Sequence, residues 1–224
     1  MGEIEISCSV ISGNPLTAIE DIRVLNELNI DSWHFDVMDG LFVPRLGLHP
    51  EYLNMLRNLS PKIIDVHVMT EYPEQHFKIL AENGAGIISP HLESLKHPIR
   101  ALLEISALGC TPAIAVNAST PLQNLEPILE YVKQVTLMAI NPGIVGHPLI
   151  PNIYPRIEEL RGMIDRKNLS ISIVVDGGVT FEIAKLLKSA GANVIVCGAG
   201  TLFKKPEPIA KNFSKLIGSL QTAN

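Results

Sequence analysis

Trp33-His34-Phe35-Asp36-Val37-Met38-Asp39-Gly40 reads as a β-strand that ends in a turn. Side chains alternate across a strand, so His34, Asp36 and Met38 share one face and Phe35, Val37 and Asp39 take the other. Ile63-Ile64-Asp65-Val66-His67-Val68-Met69 repeats the design, with Asp65, His67 and Met69 on one face. Ile171-Ser172-Ile173-Val174-Val175-Asp176 also ends in an Asp, followed by Gly177-Gly178. Three apolar strands that each carry His or Asp near the C-terminal end point to one site where those ends converge.

Outward from these strands, the chain alternates strand and helix throughout. The spacing predicts strands over Ile4–Ser9, Trp33–Met38, Ile63–Met69, Gly86–Pro90, Thr111–Val116, Val135–Ile140, Leu169–Val175 and Asn193–Cys197. Between them, apolar residues recur at helical spacing, as in Ile19, Ile22, Leu25 and Leu28 or Ile99, Leu102, Leu103 and Ile105. A helix is also predicted after Pro121, through Leu125, Ile128 and Leu129, and the last helix over Pro206–Leu216. Eight βα units in 224 residues fit an α/β fold of the (β/α)8 TIM-barrel type, one domain over residues 1–224. A doubly wound open sheet is the alternative, and it normally uses fewer strands. Most of the strands read as apolar on both faces, as buried parallel strands do. Their His and Asp residues are therefore the informative exceptions, and barrel function sits at strand C-termini.

Composition excludes other classes. Hydrophobic residues make up 46% and charged residues 18%, which is not the balance of a disordered chain. A net charge of −5 without a basic run argues against nucleic-acid binding. No apolar run is long enough to span a bilayer, so no membrane partner is expected. The first residues, Met1-Gly2-Glu3-Ile4-Glu5, lack the basic and then apolar order of a signal peptide. Three separated cysteines, Cys8, Cys110 and Cys197, form no CxxC and fit a reduced, cytoplasmic setting.

Two imidazoles and two carboxylates, from His34, Asp36, His67 and Asp176, can bind one divalent ion such as Zn, Fe, Mn or Co. The alternative is that each is satisfied separately, a buried His by a hydrogen bond and an Asp before Gly as a turn or cap residue. Met38, Met69 and Met138 end strands. They are either core filling or an apolar cap that keeps water from a reactive intermediate. Gly143, Gly146, Gly177, Gly178, Gly198 and Gly200 cluster in the late loops, where barrel enzymes hold phosphate on backbone N–H groups. Ordinary turn glycines are the alternative.

From about Ile4 to Phe203 the chain resembles the ribulose-phosphate 3-epimerase family, which includes allulose-6-phosphate 3-epimerases. The resemblance runs through Ser9, His34-Phe35-Asp36-Val37-Met38-Asp39-Gly40, Phe42-Val43-Pro44, Asp65-Val66-His67-Val68-Met69, His91-Leu92-Glu93, Met138-Ala139-Ile140-Asn141-Pro142-Gly143 and Asp176-Gly177-Gly178. It implies a (β/α)8 barrel that epimerises C3 of a ketose phosphate, of the ribulose 5-phosphate/xylulose 5-phosphate type. His34, Asp36, His67 and Asp176 would ligate the metal, and Asp36 and Asp176 would be the acid/base pair. Ser9 and His67 would contact substrate, and Met38, Met69 and Met138 would cap it. Gly143, Gly146, Gly177, Gly178, Gly198 and Ala199 would hold the phosphate end. Small sugar phosphates and further copies of the chain, as a homo-oligomer, are the expected partners. Such chemistry needs two acid/base groups on opposite faces of a planar enediolate and a cation near its oxygens.

The chain also departs from the family pattern. Arg45 stands where Asn is usual, Ala118 where Pro is usual, and Ala199 where a hydroxyl residue is usual. Gly143-Ile144-Val145-Gly146-His147 replaces Gly-Phe-Gly-Gly-Gln. These changes fall where substrate length and phosphate are sensed, with Arg45 and His147 as candidate determinants. A hexulose 6-phosphate such as allulose 6-phosphate, or a tetrulose phosphate, is therefore an alternative substrate. A non-catalytic sugar-phosphate-binding barrel is the alternative of a different class.

Overall fold

The computed structural model describes residues 4–143, 147 and 149–221. Eight parallel strands pair in sequence order and close into a barrel, β8 against β1. They are β1 (Glu5–Ser9), β2 (Ser32–Met38), β3 (Ile63–Met69), β4 (Ile87–Pro90), β5 (Thr111–Val116), β6 (Gln134–Met138), β7 (Ser172–Asp176) and β8 (Val194–Cys197). The helices are α1 (Ala18–Glu27), α2 (Pro50–Leu59), α3 (Phe77–Glu82), α4 (Pro98–Ala107), α5 (Ile153–Arg166), α6 (Phe181–Ala190) and α7 (Ile209–Gln221).

Local chemistry explains the element ends. Pro50 and Pro98 open α2 and α4, where a missing N–H costs nothing and the fixed φ is already helical. Thr180 caps α6 by accepting the Ile183 N–H at 3.3 Å, and Gly191 ends it at φ 110°. One expected helix is not there. Between β5 and β6 the chain makes two 3-10 turns, Leu122–Leu125 and Leu129–Tyr131. Pro127 lies between them, and inside an α-helix its ring would clash with the preceding turn and delete a hydrogen bond. The last helix starts three residues later than expected and runs on to Gln221.

The core lies between the barrel and its helices. Outward strand residues such as Phe35, Val37, Val66, Val68, Ile114 and Leu137 pack with Leu25, Leu53, Leu102 and Ile157 of the helices. The inner face differs from the expectation of strands apolar on both sides. Val174, Val194 and Val196 make its β7–β8 side apolar. Elsewhere the interior holds Ser7, Asp65, Ser89, Gln134 and Thr136, all buried. Ser89 Oγ donates to Asp65 Oδ1 at 2.9 Å, and Gln134 Nε2 donates to Asp65 Oδ2 at 2.6 Å. A buried carboxylate is tolerated because both its oxygens are hydrogen-bonded. This polar layer meets the strand-end residues at Asp65, whose Oδ2 lies 3.8 Å from His34 Nδ1.

Candidate active site

Parallel register places the expected residues side by side. His34 is level with Asp65, Asp36 with His67, Met38 with Met69, and Met138 with Asp176. Because each pair points inward, the donors of β2, β3 and β7 meet at the barrel's C-terminal mouth. His34 Nε2 lies 3.4 Å from Asp36 Oδ1, 3.7 Å from Asp176 Oδ2 and 3.3 Å from His67 Nδ1. His67 Nδ1 lies 3.4 Å from Asp36 Oδ1 and 3.6 Å from Asp176 Oδ2. One donor atom from each of the four residues falls within 4.8 Å of every other.

These residues fit a divalent ion. Donors about 2.0–2.2 Å from a common tetrahedral centre sit about 3.3–3.6 Å from one another, and the imidazole separations above, 3.3–3.7 Å, lie close to that range. His34 Nδ1 is buried and makes no hydrogen bond, but it faces Asp65 Oδ2 at 3.8 Å. A proton there, directed at a carboxylate, leaves Nε2 as the free donor. The electrostatics agree. Burial opposes charge on His34, but the Asp36 and Asp176 carboxylates outweigh it and hold the imidazole well above its ordinary pKa. His67 is raised in the same way, against burial, by its contacts with Asp176 and Asp36. Burial would raise Asp36, yet His34 and His67 hold its carboxyl well below the usual range. Without a cation, this site gathers protons to balance its two carboxylates.

A cavity of about 160 Å³ opens beside Asp36 and Asp176, whereas His34 and His67 are wholly buried and do not line it. Ser9, Met38, Met69, Met138, Gly143, Gly177, Gly178, Gly198 and Ala199 line it together with Asp36 and Asp176. Gly146 lies outside the described residues. Ser9 Oγ donates to Asp36 Oδ2 at 3.4 Å. Met38, Met69 and Val43 form one apolar cluster, with Phe42 and Ile11 packed on it, so both methionines line the cavity and also pack. Asp39, just past the end of β2, accepts from the N–H groups of Leu41, Phe42 and Glu71 and ties the loops after β2 and β3 together. The glycine alternatives are not exclusive. Gly177 needs its φ of +98°, and a Cβ there would lie 2.4 Å from Ile140 Cγ1. A Cβ on Gly198 would lie 2.4 Å from Ser12 Oγ, so its absence keeps the wall beside Ser9 open. Gly177→Ala should accordingly cost about 1–3 kcal/mol of stability, read by chemical denaturation. An unchanged midpoint would show that the loop relaxes freely.

Some neighbours escaped sequence reading. Ser12, Ile11, Ile140, Val179 and Val196 also line the cavity. Of the two loop residues that depart from the family pattern, Arg45 lines the cavity and is half-buried, whereas His147 is exposed. His91 and Glu93, visible as a motif but given no role, sit behind His67: His67 Nε2 is 2.9 Å from His91 Nε2, and His91 Nδ1 is 3.1 Å from Glu93 Oε2.

Comparison with known proteins gives the chain's family. The sequence profile described as the ribulose-phosphate 3 epimerase family matches residues 5–202. The chain belongs to the ribulose-phosphate 3-epimerase family. It is 35% identical to ribulose-phosphate 3-epimerase of Synechocystis over 98% of this chain and 94% of that one. It is 34% identical to the Bacillus subtilis enzyme of the same name, over 88% and 91%. Family membership makes it an isomerase, an epimerase acting on carbohydrates. The barrel also superposes on KGPDC from Streptococcus mutans with a TM-score of 0.71, covering 99% of this chain and 100% of that one. At 15% identity that likeness concerns the fold alone. Among the described residues, no helix is long and apolar enough to cross a membrane.

Proposed function

We propose that the chain epimerises C3 of a ketose phosphate of the ribulose 5-phosphate/xylulose 5-phosphate type, with Asp36 and Asp176 as the two proton-transfer groups. The observation that carries this reading is that both carboxylates border one cavity and share the same pair of imidazoles. They come from β2 and β7, which are not neighbours in the ring. A substrate seated between them offers one face of C3 to each. Asp36 removes the C3 proton on one face and Asp176 delivers a proton on the other; the reverse reaction exchanges these roles. Ser9, hydrogen-bonded to Asp36, orients that carboxylate and meets the sugar. The methionines with Val43 exclude water, and the backbone N–H groups of Gly177, Gly178, Gly198 and Ala199 receive the phosphate.

His34, Asp36, His67 and Asp176 would hold one divalent ion, Zn, Fe, Mn or Co. Such an ion supplies positive charge where the planar enediolate carries its negative charge. Turnover of ribulose 5-phosphate, with metal content measured on the same sample, tests the reading. Equal turnover of a ketose without the phosphate would count against the phosphate loops.

Arg45 on the cavity wall supports a finer statement about length. Its guanidinium adds donors that the usual Asn does not, so hexulose 6-phosphate or tetrulose phosphate turnover should respond to it. Arg45→Asn should change the C6-to-C5 ratio of kcat/KM by about tenfold or more, the scale of one pocket contact. His147→Gln should change it little. A panel over C4, C5 and C6 ketose phosphates reads both variants, and an Arg45→Asn ratio equal to wild type would remove Arg45 as a determinant.

A further inference from the structure

His91-Leu92-Glu93 touches no part of the cavity, yet it ends a chain of hydrogen bonds that starts at the metal-donor cluster. His67 turns Nδ1 toward Asp36 and Asp176 and Nε2 toward His91 Nε2, 2.9 Å away. Two ring nitrogens that close share one proton between them. The far end decides. Glu93 Oε1 accepts the Asn117 N–H at 2.8 Å and the Thr120 hydroxyl, and Oε2 faces His91 Nδ1 at 3.1 Å. A carboxylate so surrounded by donors is an acceptor only, so His91 Nδ1 carries a proton. The His91 ring is wholly buried and lies under Phe42, with ring centroids 4.8 Å apart, a setting that disfavours an imidazolium. A neutral ring with its proton on Nδ1 has a bare Nε2. The shared proton therefore belongs to His67 Nε2, and His67 Nδ1 keeps its lone pair for the site.

We propose that Glu93 and His91 are positioning residues that fix the tautomer of His67, so that its Nδ1 is presented as a metal donor. The proposal rests on the metal reading above. The anchoring of Glu93 reaches further: Arg156 Nη2 donates to the Asn117 carbonyl at 3.2 Å, so α5 steadies the loop that holds the carboxylate. Outer partners that orient a ligating imidazole typically change metal affinity by about 10–100-fold.

Glu93→Gln provides the test because it keeps the shape and replaces an obligate acceptor with a group that can donate. An amide N–H directed at His91 Nδ1 moves the His91 proton to Nε2, and that in turn pushes the His67 proton onto Nδ1. Zinc affinity, measured by chelator competition on the full chain, should fall about 10–100-fold in Glu93→Gln and stay near wild type in Glu93→Asp. Two-bond proton–nitrogen NMR of the metal-free protein at alkaline pH should place the His67 proton on Nε2 in wild type and on Nδ1 in Glu93→Gln. His91→Phe, which removes the acceptor without changing ring volume much, should also weaken zinc and serves if Glu93→Gln folds poorly. Wild-type zinc affinity in Glu93→Gln and His91→Phe, or a His67 proton that stays on Nε2 in Glu93→Gln, would overturn the relay. Failure of wild type to bind zinc would overturn the metal reading instead, and the NMR comparison would still decide the tautomer.

Discussion

Asp36→Asn and Asp176→Asn should each lower kcat by at least about 10²–10⁴-fold, the usual contribution of a positioned acid or base. Asparagine preserves size but cannot carry the proton, and it replaces one accepting oxygen with a donating amide. The loss should sit at or above the top of that range, because each carboxylate also borders the donor cluster within 3.7 Å of both imidazoles. The two variants should also differ from each other. Each retains one carboxylate on one face, so any residual exchange of the C3 proton with solvent should be confined to one epimer in Asp36→Asn and to the other epimer in Asp176→Asn, without inversion. Steady-state turnover and proton exchange, followed separately on each epimer, check this. Near-normal epimerisation by either variant would show that the residue is not a proton-transfer group.

His67→Ala should lose metal by more than the about 10–100-fold expected when an outer partner is lost, and activity should fall with it. It removes one of four donors and opens a hole beside His34, whose Nε2 is 3.3 Å from His67 Nδ1. Chelation of the wild-type protein should abolish turnover, and adding back a divalent ion should restore it. The pH dependence has a definite sign. The carboxylates hold His34 and His67 above their ordinary pKa values, so protons occupy both rings when the pH falls. Metal binding must displace those protons, so affinity should weaken with falling pH and strengthen with rising pH. Metal content by elemental analysis, measured across pH on wild type and His67→Ala, reads all of this. Full metal content in His67→Ala would remove His67 from the ligand set.

The sequence made most of this site legible because strands have a period of two. His34 and Asp36, two apart, must share a face, and so must Asp65, His67 and Met69. Ile63–Met69 and Thr111–Val116 also have the bounds that their apolar runs suggested. Boundaries failed where a turn imitates a strand. Leu169 and Ile171 are apolar, but the chain leaves α5 through Asn168 at φ 52° and pairs only from Ser172. Helical spacing across Leu125, Ile128 and Leu129 likewise misled, because Pro127 overrides it. Partnerships across the closed ring were the least legible. Gln134 and Asp65 are 69 residues apart, and only barrel closure and register bring the amide onto the carboxylate. The same holds for Ser12 and Val196, which reach the cavity through loop path and strand order. Arg45 and His147 are equivalent in sequence, and only the structure separates them, with Arg45 on the cavity wall and His147 exposed.

If two fixed carboxylates move the C3 proton across one bound intermediate, the first turnovers of the wild-type protein in D₂O carry the record of it. Two acid/base groups, each in exchange with solvent before substrate arrives, put the removed hydrogen on one carboxyl and a solvent deuteron from the other on C3. Product should carry deuterium at C3 from the first turnover, measured by NMR or mass spectrometry on quenched reactions. Product that instead keeps the substrate's own hydrogen at C3, on the inverted face, would contradict it.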